Sequence, residues 1–231
     1  MKLIFLLLIV SQVAVGQITE LPKHRFKVMA EIPVQFGLGY EWQYSKRFSS
    51  NFQVGVLTQP NSTIILNTLQ ALGTSQDVIL MLQDAFKFGM VYKGTLNYNF
   101  KRNYVGGFFQ VIDLTGKDTP TALVETAMGV SISSYPRYPG KNSATPTNLT
   151  LHSSLFQAGV LYGRRFLVKK KSEIDLEFGI SANVGSSSSV NSDVRDLSSL
   201  SKYANTYLAS IYKSYAFVPS ITIAYAVKIG K

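Results

Sequence analysis

FKFGMVYKGTLNYNF, residues 86–100, decides how this chain folds. Its even positions, Phe86, Phe88, Met90, Tyr92, Gly94, Leu96, Tyr98 and Phe100, are nearly all large and apolar. Its odd positions, Lys87, Gly89, Val91, Lys93, Thr95, Asn97 and Asn99, are mostly small or polar. Strand side chains alternate between two faces, so this stretch predicts a strand with one greasy and one compact polar face. A soluble β-sandwich alternates too, but its polar face meets water and fills with Lys, Glu, Thr and Asp. Compact polar residues suit the filled lumen of a small barrel whose other face meets lipid.

The same alternation recurs along the chain. Phe36, Leu38, Tyr40, Trp42 and Tyr44 oppose Gln35, Gly37, Gly39, Glu41 and Gln43. Ile174, Leu176, Phe178, Ile180 and Ala182 oppose Asp175, Glu177, Gly179, Ser181 and Asn183, and Ile221 to Ile229 oppose Ser220 to Lys228. Weaker runs pass through Phe52–Val56, Tyr104–Ile112 and Phe156–Tyr162. These lengths match the roughly 9–11 residues a tilted strand needs to cross a bilayer. An eighth strand is expected at 24–31, folded back on 34–44 near Pro33; residues 122–134 are the alternative. The fold class is therefore all-β: an antiparallel up-and-down transmembrane β-barrel of about eight strands.

Connections alternate strictly in length. Ser45-Lys46-Arg47, Lys101-Arg102-Asn103 and Lys169-Lys170-Lys171-Ser172 are short and basic; residues 59–85, 114–153 and 185–215 are long. Short periplasmic turns and long external loops are the habit of membrane barrels. Trp42, Tyr44, Phe100, Tyr104, Tyr162 and Phe166 flank the short turns and are expected to form an aromatic girdle there. The long loops read as helical. Ile65, Leu69 and Leu72 have helical spacing before Gly73, and Thr74-Ser75-Gln76-Asp77 opens a second helix through Val78, Ile79, Leu82 and Ala85. Pro120 starts a short helix to about Ala127. Leu197, Leu200, Ala204, Tyr207, Leu208, Ile211 and Tyr215 form one stripe after Asp196. Ser133 to Thr150 is expected to be an exposed, mobile tip.

Composition agrees. Charged residues make up only 16%, aromatic ones 12%, and 13 Tyr with 14 Phe stand against one Trp. The net charge of +10 places basic residues in the short turns, where phospholipid headgroups lie, and export removes nucleic acid as a partner. Met1-Lys2, the apolar run Leu3 to Val10 and the site Ala14-Val15-Gly16 make residues 1–16 a signal peptide, leaving 17–231 as one barrel domain. Cysteine is absent, which excludes disulfides, thiol nucleophiles and cysteine zinc sites. With two distant histidines, His24 and His152, no metal site and no cofactor are expected.

These features, with Phe36-Gly37-Leu38-Gly39-Tyr40-Glu41-Trp42 before a basic turn and a final amphipathic strand, resemble the small outer-membrane β-barrel proteins of Gram-negative bacteria. The Bacteroidota type is the most similar in flavour. The resemblance implies a place in the bacterial outer membrane, in contact with its lipid. Glu41, Lys87, Lys93, Arg165, Asp175, Glu177 and Lys228 point inward by parity and are expected to form a lumenal charge network, since unpaired buried charge is costly. The helical stripes must bury themselves. They either cap the mouth or, through Ile65, Leu69, Leu72, Leu82, Leu200, Tyr207 and Ile211, hold an apolar ligand or an envelope protein.

The expected function is thus a non-enzymatic binding or accessory envelope protein. One alternative is transport of small hydrophobic molecules. The other is a barrel esterase, because His152 and Ser154 on one strand face resemble the lipid A deacylase family.

Overall fold

The structure, a computed structural model, describes residues 23–140, 145–169, 171–214 and 218–229. Eight antiparallel strands close a barrel in sequence order: β1 (Lys23–Ile32), β2 (Gln35–Gln43), β3 (Phe48–Leu57), β4 (Gly89–Phe100), β5 (Asn103–Pro120), β6 (Asn148–Lys169), β7 (Ser172–Asn191) and β8 (Val218–Ile229). β1 seals the ring against β8, from His24 opposite Ile229 to Ile32 opposite Ile221. The expected signal segment and Tyr215 lie outside the described residues.

β1 and β2 form a tight hairpin, Glu31 opposite Gln35, closed by the Val34 amide donating to the Glu31 carbonyl at 2.7 Å. Partners in a sheet point to the same face, and 31 and 35 share parity. Continuous parity across Pro33 is therefore what this hairpin must show. Residues 122–134, the alternative strand, are instead a helix and a 3-10 turn.

Outside, the wall is apolar: Phe26, Leu38, Phe52, Leu96, Val160, Phe178 and Ile223 are all exposed. Toward the short turns, Trp42, Phe100, Tyr162 and Phe166 stand outward as a girdle. Tyr104 does not join them. It lies opposite Asn99 on the inward parity of β5 and is fully buried in the lumen.

Five strands have 9–12 residues, but β5, β6 and β7 have 18, 22 and 20. Their upper halves stand above the belt as a wall, where the second and third long loops were expected. On this wall the phase inverts. In β6, Phe156, Val160 and Tyr162 face out from the belt, whereas higher up Leu149, Leu151 and Leu155 are buried inward and His152 and Ser154 face out. Outside the bilayer an outward side chain meets water, so the polar set moves to that side.

Four helices pack on the inner face of the wall: α1 (Asn61–Ala71), α2 (Gln76–Ala85), α3 (Thr121–Met128) and α4 (Ser198–Ser214). Gly73, with φ of 95°, turns the chain after α1 where a side chain would be strained. Leu66, Leu69, Val78, Met81, Leu82, Val124, Leu200 and Leu208 join Leu114, Leu149 and Leu151 in one apolar core that fills the external mouth. Along β7, Asn205 Oδ1 accepts the Ser188 amide at 2.8 Å. Ser201 Oγ accepts the Val190 amide at 3.0 Å and donates back to the Val190 carbonyl at 2.7 Å.

The expected mobile tip is partly pinned. Arg195, 2% exposed, donates to the carbonyls of Ser133 (2.8 Å) and Tyr135 (2.6 Å), and Arg137 bridges to Arg195 through the backbone. An isolated arginine in a loop gives no periodic signal by which to foresee this.

Candidate functional site

The lumen is filled by charge in two tiers. In the lower tier, Glu41 from β2 accepts from Arg25, from Lys27 Nζ at 2.9 Å and from Arg165 Nη2 at 2.8 Å. Lys27 also pairs with Asp175 at 2.6 Å and approaches Glu177 at 3.7 Å. Glu173 takes Arg25 at 3.2 Å and Lys228 at 2.6 Å. The Tyr104 hydroxyl donates to Glu177 at 2.6 Å, while the Arg165 guanidinium lies 4.5 Å from its ring centre.

In the upper tier, Glu31 accepts from Lys93 at 2.7 Å, Gln35 at 2.9 Å and Ser220 at 3.1 Å. Lys93 also sits 4.2 Å over the Phe108 ring. Taken together, the five bases Arg25, Lys27, Lys93, Arg165 and Lys228 face the five carboxylates Glu31, Glu41, Glu173, Asp175 and Glu177. Such a balanced network is what keeps buried charge tolerable.

Of the residues expected in this network, Glu41, Lys93, Arg165, Asp175, Glu177 and Lys228 face the lumen. Lys87 does not. β4 begins at Gly89, so the strand parity stops two residues short, and Lys87 is exposed on the outer rim beside Asp113 and Lys117. Phe86 likewise leaves the strand and is buried in the cap. Arg25, Lys27, Glu31 and Glu173 were missed. The signal for three of them was present, because β1 alternates Arg25, Lys27, Met29 and Glu31 against Phe26, Val28, Ala30 and Ile32.

The helical residues expected to hold a ligand are placed differently from one another. Leu69, Leu82 and Leu200 are buried in the cap core; Ile65, Tyr207 and Ile211 pack partly buried against it; Leu72 is exposed. Beneath them lies an apolar cavity of about 40 Å³ bounded by Val34, Leu69, Phe86, Ile112, Leu155 and Tyr212. A cavity of roughly 150 Å³ holds benzene, and this one is several times smaller.

Tyr212 on α4 stands above the barrel. Burial pushes its phenol up from about 10 to about 12, against the lowering effect of its 3.4 Å hydrogen bond to Ser153. The fold favours the neutral phenol. Its contribution is therefore complete below pH 10 and is lost as pH rises through 12, at roughly 2–3 kcal/mol. Limited proteolysis of the cap should accelerate over that window, and Tyr212→Phe should remove the alkaline step.

His152 and Ser154 face outward on the wall. Ser154 donates to Asp113 Oδ1 at 2.6 Å, and His152 Nδ1 meets Thr115 Oγ1 at 2.8 Å. The serine is thus bonded to the carboxylate and the histidine to a threonine. A nucleophile activated by its base requires a serine–histidine bond, and none joins these two side chains. Among the described residues, no group of three His, Cys, Asp or Glu could hold a metal ion.

The closed sheet, the apolar exterior and the charge-filled interior define a small up-and-down transmembrane β-barrel. No protein-family model matches the chain, and no curated protein matches it either. Solved structures similar to it include CarO2 of Acinetobacter baumannii, at 13% identity over 90% of this chain and 99% of that one, with a TM-score of 0.35. CarO of the same organism shows 10% identity over 90% and 97%, TM-score 0.35. A major outer membrane protein from Thermus thermophilus shows 11% identity over 89% and 99%, TM-score 0.45.

Proposed function

We propose that this chain is an outer-membrane barrel of the Bacteroidota type that conducts nothing and serves as a non-enzymatic binding or accessory protein of the envelope. One observation carries the reading: four buried bases and five buried carboxylates pair across the lumen, and helices pack into its mouth. What such a molecule offers the outside is the surface of its cap. There Ile64, Leu72, Leu80 and Tyr203 are exposed, and Tyr203 stacks on Tyr207 at 6.1 Å. Exposed aromatic and aliphatic side chains of this kind are the usual anchors of a protein contact. An envelope protein is therefore favoured over a small apolar ligand, since the cavity below the cap is several times smaller than one that holds benzene.

Two measurements test this. Reconstituted into planar bilayers, the protein should give no conductance steps above the lipid alone; a stable open channel would overturn the closed reading and favour transport. In living cells, a photo-crosslinker at Leu72 or Tyr203 should give a discrete adduct with an envelope protein. Adducts with lipid only, as expected from a crosslinker at Phe52, would count against an accessory role.

A further inference from the structure

The lumen mouth at the short-turn end holds a second, different cavity, of about 180 Å³. Six of its bounding side chains are basic, Arg25, Lys46, Lys101, Arg102, Arg165 and Lys228, and one, Glu173, is acidic. Three of the six are answered within the network: Arg25 and Arg165 by Glu41, and Arg25 and Lys228 by Glu173. Lys46, from the β2–β3 turn, and Lys101 and Arg102, from the β4–β5 turn, have no carboxylate partner among the described residues. Three uncompensated cations therefore stand around one recess. Arg25 and Arg165, which bound the recess from the lumen side, are themselves buried, at 3% and 9% exposure.

The turn itself points the same way. Phe100 pairs with Asn103, so Lys101 and Arg102 are the two central residues, and Lys101 has φ of 56°. Glycine or asparagine is the usual choice at such a position. Here the chain keeps a lysine at the conformational cost.

We propose that this cavity is a binding site for a phosphate-bearing anion. A phosphate supplies several acceptor oxygens and one to two negative charges, which suits guanidinium forks and a ring of ammonium groups. The walls are low in dielectric, which strengthens the field inside the recess. Water occupies about 30 Å³ per molecule, so the space takes a phosphate or diphosphate group with a few waters. It does not take a nucleic acid. The anion comes either from solution or from a phospholipid headgroup of the adjacent leaflet; the recognition chemistry is the same.

The test uses the whole barrel purified in a maltoside detergent. Isothermal titration with pyrophosphate, and then with inorganic phosphate, should show saturable binding of about one ion per barrel that weakens with added salt. The combined variant Lys46→Gln, Lys101→Gln, Arg102→Gln should weaken it at least tenfold. Lys169→Gln, an exposed turn lysine outside the recess, should leave it unchanged. Heat-modifiability on a gel shows whether each variant is folded. If the triple variant fails to fold, Lys46→Gln and Arg102→Gln singly, with phosphorus NMR line-broadening of pyrophosphate on the wild type, carry the same comparison. Binding of phosphatidylglycerol in nanodiscs that is lost in the variant, with free anions not competing, would assign the lipid as source. Absence of saturable binding by both free anion and lipid would overturn the site. So would equal binding by wild type and triple variant.

Discussion

Glu41→Gln should cost the folded barrel about 3–5 kcal/mol, the range found when one partner of a buried ion pair is removed. Glu41 is fully buried and serves three cations at once. Without it Arg25 retains Glu173, and Lys27 retains Asp175 and Glu177. Arg165 retains no carboxylate among the described residues. Glutamine keeps the shape, so the loss reports charge rather than packing. The one tryptophan, Trp42, is the next residue along β2 and faces outward, so its fluorescence reports urea unfolding from lipid vesicles. The unfolding midpoint should fall sharply. Adding Arg165→Met should raise it part of the way back, because the stranded cation is then gone. A single variant that unfolds with the wild type would show that the network contributes nothing to stability.

Gly163→Ala should be nearly as damaging. A Cβ on Gly163 would lie 2.2 Å from Cζ and 2.5 Å from Cε2 of Tyr104, inside the 3.0 Å limit that real contacts respect. The ring has nowhere to yield, since Tyr104 is fully buried, bonded to Glu177 and covered by Arg165. Overpacking of this kind costs about 1–3 kcal/mol, and a lost hydrogen bond to a buried charge adds about 1.5–3 kcal/mol. The unboiled protein should then lose its fast-migrating folded band. Tyr104→Ala in the same background should return some of it by making room. Normal migration of Gly163→Ala alone would mean that the ring moves freely.

Much of the barrel was legible because lipid on one side and a narrow lumen on the other give the strongest two-residue alternation a chain can carry. Phe88 to Phe100 and Ile221 to Ile229 read correctly for that reason. The wall above the membrane was not legible. Between Val111 and Ile112 in β5, and between Leu155 and Phe156 in β6, the apolar set changes sides, and a pattern that reverses mid-strand looks like its end. Parity also failed wherever it was carried past a strand terminus, as at Lys87, and wherever it was set aside for proximity, as when Tyr104 was grouped with the girdle. The helices were found from their spacing, but spacing does not say what a stripe covers. Leu82 and Leu200 turned out to face the interior of the mouth, while Ile64 and Tyr203 were left on the surface.

The bonds from α4 to β7 have a consequence for neighbouring molecules. Above Ser181, β7 has no strand on that side among the described residues. A bare strand edge is a template on which another copy can add, and barrels crowded in a plane meet one another constantly. Ser201 and Asn205 occupy the amides and carbonyl that such an addition would use. The helix thus occupies the edge on which a second copy would otherwise have room to add.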